Sequence, residues 1–196
     1  MRSKWITIGF LLATAIASPA FAEEFSLTST TVSEGEKLTN SHVFEGFGCE
    51  GDNQSPQLSW DGAPEGTKSF AISVYDPDAP TGSGWWHWNV VNIPASVNSV
   101  SQNASFNNSF PEGAIEIRND YGIAGFGGAC PPPGEVHRYI FTVYALGTEY
   151  LELPENPSTA LVGFMTRANM LDSTSITAGS YHYYTEASSE SWCILC

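Results

Sequence analysis

Residues 69–94, SFAISVYDPDAPTGSGWWHWNVVNIP, decide the fold class. Ser69 to Asp76 alternates, with Phe70, Ile72 and Val74 on one face and Ala71, Ser73 and Tyr75 on the other, the period-two pattern of a strand. Trp85 to Ile93 is aromatic and β-branched throughout, the composition strands favour. Pro77, Pro80, Gly82 and Gly84 separate the two. Outward from this pair, His137 to Leu146 (HRYIFTVYAL) reads as a further strand, buried on both faces. Ile115-Glu116-Ile117 and Ser175-Ile176-Thr177 read as short strands. The one strong helix signal has Asn156 as cap and Pro157 at the first helical position. Ser158 to Asn169 follows, with Leu161, Phe164, Met165 and Ala168 at helical spacing. Many strands, frequent turn signals and one or two short helices predict a mainly β, antiparallel β-sandwich with no linker to split it.

The chain has 196 residues, 42% of them hydrophobic and 13% aromatic, ample for one packed domain. Lys and Arg number 7 against 21 Asp and Glu, a formal charge of −14, so there is no basic stripe for nucleic acid. Residues 1–22 read as a cleavable signal peptide. Arg2 and Lys4 form its positive start, Ile6 to Ala17 its apolar run, and Ala20 and Ala22 the small-residue cleavage pattern. The run is shorter than the roughly 20 residues of a membrane helix, so no membrane span is expected. Cleavage after Ala22 leaves residues 23–196 as a single domain. It removes two basic residues and no acid, so the charge moves from −14 to −16. An exported, soluble, strongly acidic protein is expected.

Export changes how the four cysteines read, since an oxidising compartment favours disulfides. Cys49 and Cys130 each end a glycine-rich stretch, whereas Cys193 and Cys196 lie together in the tail. The economical pairing is Cys49–Cys130, closing a loop of about 80 residues and contributing roughly 4–5 kcal/mol in the chain-entropy model. Cys193–Cys196 is left as a local disulfide or as tail thiols. Gly46-Phe47-Gly48-Cys49-Glu50-Gly51 matches G-x-G-x-x-G, but a dinucleotide site needs a helix next, and Asp52 to Pro56 is a turn sequence. These glycines read as turn residues beside the disulfide, and no cofactor is expected.

Two stretches gather polar chemistry at strand ends. Asp76-Pro77-Asp78-Ala79-Pro80 sets two carboxylates a short loop away from Trp85-Trp86-His87-Trp88. Gly127-Gly128-Ala129-Cys130 and a run of three prolines lead to His137-Arg138-Tyr139. Alternation puts His137 and Tyr139 on one face with Phe141 and Val143, and His87 on one face with Trp85, Asn89 and Val91. If both strands share a sheet, two His, a Tyr and the Asp pair converge at its rim as a small-ligand pocket. Taken singly, each His also reads as a core histidine satisfied by a buried Asp.

The pieces SPQLSW (55–60), DPDAPTGSGWWHWNVVNIP (76–94), RNDYGIAGFGGACPPPG (118–134) and HRYIFTVYAL (137–146), in this order, resemble the phosphatidylethanolamine-binding protein family, also called Raf kinase inhibitor-like. The resemblance is greatest to its bacterial YbhB/YbcL branch. It runs from about Phe25 to about Ile176, and the Tyr- and Ser-rich segment from Tyr181 to Cys196 departs from it. It implies a sandwich of two antiparallel sheets with a small anion-accepting pocket, in a periplasmic or secreted protein. The implied pocket residues are Asp76, Asp78, Trp85, His87, Gly128 to Pro131, His137 and Tyr139. The implied function is a non-enzymatic binding module for a small phosphorylated or anionic ligand, used to modulate a protein partner. Three other classes stay open. One is a protein–protein inhibitor of a protease or kinase for which the pocket is incidental. Another is a weak hydrolase using the His/Asp set on a bound water, and the third is a metal site of His87, His137 and an Asp. A charge this negative repels anions at long range. Capture is therefore expected to rest on short-range donors: the Gly127 and Gly128 N–H groups, the Tyr139 hydroxyl, and whichever His a nearby Asp76 keeps protonated. The Trp residues are expected to contact an alkyl or ammonium portion.

Overall fold

The computed structural model describes residues 24–181. The signal-peptide and Cys193–Cys196 expectations fall outside the described residues. In chain order the elements are β1 (Ser26–Thr28), β2 (Glu45–Gly46), β3 (Cys49–Glu50), β4 (Leu58–Asp61), β5 (Ser69–Asp76) and β6 (Trp85–Pro94), followed by β7 (Ser99–Val100), α1 (Ala104–Asn107), β8 (Ile115–Glu116), β9 (Val136–Leu146), α2 (Thr159–Asn169) and β10 (Met170–Tyr181). The main sheet runs β10-β9-β5-β6-β8 and a smaller one β1-β4-β7, with every pairing antiparallel.

The two-faced pattern of β5 explains the layering. Phe70, Ile72 and Val74 point into a core shared with Phe141 and Val143 of β9 and with Leu58 and Trp60 of the smaller sheet. Ala71 points the other way, into a cluster with Val91, Leu146 and Val162 of α2. The chain is a two-sheet sandwich with a helix on the outer face of the main sheet, as the sequence predicts. Among the described residues no helix is long and apolar enough to cross a membrane.

Three local expectations are corrected. β9 is fully buried on one face only. His137, Tyr139, Phe141, Val143 and Ala145 are buried, whereas Val136 and Arg138 are exposed and Ile140, Thr142 and Tyr144 half-covered, because α2 reaches only the far end of the strand. The cap of α2 is Ser158, whose side chain accepts the Leu161 N–H, while Asn156 adopts a left-handed turn (φ 54°) two residues earlier. The helix buries Val162 and Thr166, and Phe164 is 67% exposed. The short strand at Ser175-Ile176-Thr177 is the middle of β10, which pairs with β9 from Met170↔Leu146 to Tyr181↔Val136. Its polar, Ser- and Thr-rich composition conceals its length, since a sheet-edge strand needs few apolar side chains.

Candidate functional site

Antiparallel pairing sets Asp76, the last residue of β5, opposite Trp85 of β6, with Tyr75 opposite Ile140 of β9 on the other side. The ends of three strands therefore meet at one rim. The Asp76 side chain organises it. Oδ1 accepts the backbone N–H groups of Asp78 (2.8 Å) and Ala79 (3.1 Å), which winds the 77–84 loop around the carboxylate. Oδ2 accepts from His137 Nδ1 at 2.7 Å. The other ring nitrogen, Nε2, donates to Glu135 Oε2 at 2.9 Å. Two nitrogens facing two carboxylates describe an imidazolium. Burial works against its charge, yet the hydrogen bonds and the attraction of Glu135 and Asp76 outweigh it, and the His137 pKa is raised.

His87 is the opposite case. β6 carries a bulge: Tyr75 pairs with Trp86 and Val74 with Trp88, so Trp86 and His87 together oppose one residue. The bulge resets the alternation. Trp85 and His87 face the cavity, while Asn89 and Val91 turn with Trp86 toward α2. The expected shared face of His87 with Asn89 and Val91 is thereby corrected. His87 Nδ1 donates to the carbonyls of Gly127 (2.8 Å) and Gly128 (3.1 Å), and Nε2 is buried without a partner. Burial pushes its pKa down to about 4, against the Gly127 and Gly128 hydrogen bonds and the Asp76 and Asp120 charges. His137 is the cation of the pair and His87 the neutral ring.

The 127–130 loop behaves differently from the expectation that its glycine N–H groups receive an anion. The Gly127 N–H donates to the His87 carbonyl (2.9 Å), that of Gly128 to Asn53 Oδ1 (2.7 Å) and that of Ala129 to the His42 carbonyl (2.9 Å). These donors are engaged within the protein. Gly128 passes so close to residues 42–44 that a Cβ there would lie 2.5 Å from the Val43 carbonyl carbon. The loop ends in the Cys49–Cys130 disulfide. Cys49 begins β3 of a hairpin whose tip, Phe47-Gly48, has positive φ at both positions (53° and 85°), the type I′ pattern. That hairpin accounts for the G-x-G-x-x-G glycines.

These pieces enclose a cavity of about 180 Å³. Asp76, Trp85, His87, His137 and Tyr139 line it together, whereas Asp78, Gly128 and Pro131 are not among its lining. Asp78 instead accepts from Arg138 Nε (2.8 Å), Nη2 (2.7 Å) and backbone N–H (2.9 Å), clamping the 77–84 loop to β9. Hydrogen bonds from Arg138 hold its pKa down to about 2. The Tyr139 hydroxyl is buried beside Asp76 and the Cys130 backbone without a well-formed hydrogen bond, and the Trp85 indole N–H is buried without a partner. Sequence reasoning missed Phe47, Tyr121 and Glu135. Tyr121 sets its ring edge-on to Trp85 (5.2 Å) and His87 (5.5 Å) and donates its hydroxyl to Gly128 O (3.0 Å). Glu135 had a readable signal: it precedes His137 by two residues, hence shares its face in extended chain.

Reactive groups are scarce in the cavity wall. The Thr81 hydroxyl donates to the Gly84 carbonyl, the Cys130 sulfur is in the disulfide, and burial raises the pKa of both Tyr121 and Tyr139. Among the described residues no group of three His, Cys, Asp or Glu side chains is arranged to hold a metal ion.

The family description "Phosphatidylethanolamine-binding protein" matches residues 28–182. The chain is 56% identical over 165 residues to YbcL of Escherichia coli K12, covering 83% of this chain and 90% of YbcL. It is 52% identical over 153 residues to YbhB of the same organism, covering 78% and 97%. The crystal structure of E. coli YbcL, described as a new member of the mammalian PEBP family, matches with a TM-score of 0.79, covering 83% of this chain and 100% of that one.

Proposed function

The chain belongs to the phosphatidylethanolamine-binding protein family, and from that premise we propose that it is a non-enzymatic module binding small phosphorylated or otherwise anionic groups between His137 and the aromatic wall of the cavity. The observation that carries this reading is the buried His137 ring, its two nitrogens held by Asp76 and Glu135 at the edge of a cleft walled by Phe47, Trp85, Tyr121 and Tyr139. Removed from water, a cation attracts an anion far more strongly than it does at the surface. Asp76 fixes the ring and balances its charge when the pocket is empty. Glu135, whose side chain is 51% exposed, holds the place at Nε2 that an anion takes on binding. Tyr139 and Trp85 offer further donors.

The signal-like first 22 residues and the Cys49–Cys130 disulfide support an exported protein in an oxidising compartment. Modulation of a protein partner through pocket occupancy belongs to the same reading. Calorimetric titration of the purified protein with O-phosphoethanolamine tests it. Saturable binding that weakens at least about tenfold in His137→Gln is expected, the loss typical of a charge-assisted hydrogen bond; an unaltered affinity in the variant would contradict it.

A further inference from the structure

Resting on that reading, we infer that the pocket takes its anion together with a hydrogen: it selects a protonated tetrahedral anion, such as the monoanion of a phosphate monoester, over an anion of the same shape and charge that carries no proton.

The orientation of His87 leads to this. Its Nδ1 lies 2.8 Å from the Gly127 carbonyl and 3.1 Å from that of Gly128. A carbonyl only accepts, so Nδ1 carries the ring hydrogen. The ring is 2% exposed and packed edge-on by Tyr121 (5.5 Å) and Tyr139 (5.0 Å), and the two carbonyls at Nδ1 fix which way it is turned. Nε2, on the other side of the ring, is buried, has no partner, and belongs to a residue of the cavity wall. In a neutral ring this nitrogen is an acceptor and nothing else. A deprotonated oxygen brought against it sets lone pair against lone pair, whereas a P–O–H group satisfies it.

The charged neighbours keep the ring in that state. Asp76 of β5 is already tied to His137 of β9 and to the 78–79 backbone. Asp120, between β8 and β9, accepts from the Trp86 backbone and the Thr159 hydroxyl. Glu135 is bound to the far nitrogen of His137. Tyr121 and Tyr139, the two phenols on the ring, stay protonated. No carboxylate donates a proton to Nε2, and burial keeps His87 neutral through mildly acidic pH. The two histidines thus divide the work, His137 supplying charge and His87 reading the ligand's hydrogen. A buried site built to hydrogen-bond a hydroxyl rejects the analogue lacking one far more strongly than a hydrophobic pocket does.

Methyl phosphate and methyl sulfate test this at pH 5.5. The second ionisation of a phosphate monoester lies near 6, so both are then mainly tetrahedral monoanions of like shape, the phosphate carrying a hydrogen on one oxygen where the sulfate carries none. Methyl phosphate is expected to bind at least about tenfold more tightly to the wild-type protein. In His87→Gln, whose amide offers donor and acceptor alike, the ratio is expected to fall toward one, with circular dichroism reporting the fold. The wild-type comparison stands without the variant. Equal or reversed affinities for the two anions would overturn the inference while leaving anion binding intact, and binding of neither would overturn both.

Discussion

At His137 the chemistry can be read as a sign. Its pKa is raised above 6.5 in the folded protein. The imidazolium, and with it the attraction for an anion, is therefore present at low pH and lost as pH rises through that raised value. Affinity for phosphoethanolamine is expected to strengthen from pH 8 to pH 6, and the slope should flatten in His137→Gln; calorimetry at the two pH values measures both. Stability carries the same sign. The ion pair with Asp76 contributes fully below the unfolded value near 6.5 and fades as pH rises through the folded one. Urea denaturation should show the gap between wild type and His137→Gln narrowing between pH 6 and pH 9. Glu135 occupies Nε2, so, if an anion takes that place, Glu135→Gln, which removes a half-exposed carboxylate, is expected to tighten anion binding about threefold. Weaker binding in that variant would mean that Glu135 assists the ligand rather than standing in its place.

Between residue and molecule, the 127–130 loop and the β2–β3 hairpin act as one clamp, joined by Cys49–Cys130 and by the passage of Gly128 against residues 42–44. Removing the bridge in a Cys49→Ala/Cys130→Ala double variant is expected to cost roughly 4 kcal/mol in chemical denaturation. Because Phe47 and Cys130 both line the cavity, it should also weaken ligand binding. A variant of unchanged affinity would show that the hairpin is not needed to shape the pocket. At this scale the sequence is legible where side-chain pattern and structure share a period, as in β5. It misleads where backbone pairing breaks the period. Nothing in Trp86-His87-Trp88 announces the bulge that turns His87 away from Asn89. Nothing in Gly127-Gly128 announces that its N–H groups are already engaged by Asn53 and His87. The length of β10 escaped for a related reason, since it rests on backbone pairing that its Ser and Thr side chains do not advertise; the Ser158 cap was masked by Asn156-Pro157, which offers the same start signal two residues earlier.

The whole molecule sets one buried imidazole, His137 between Asp76 and Glu135, in a strongly negative body with a formal charge of −14. That opposition predicts an unusual salt response. Screening should weaken the repulsion of an approaching anion more than it weakens the buried attraction, so association should quicken between about 0.01 M and 0.15 M ionic strength. Stopped-flow titration with a fluorescent phosphate ester would measure it, and a falling rate would mean that a local positive field outweighs the net charge. The fold was legible at this scale because the strand patterns at 69–76, 85–93 and 137–146 fall on β5, β6 and β9. The convergence of Asp76, His87, His137 and Tyr139 followed from the placement of β5 between β6 and β9. The charge states of the two histidines were not legible, because burial and partner geometry decide them. The most direct test is a heteronuclear NMR titration of the protein with O-phosphoethanolamine and with inorganic phosphate at pH 6, run beside His137→Ala. Saturable shifts confined to residues 76–87 and 121–139, and lost in the variant, are predicted; shifts that persist in the variant, or silence in the wild type, would contradict an anion pocket built on His137.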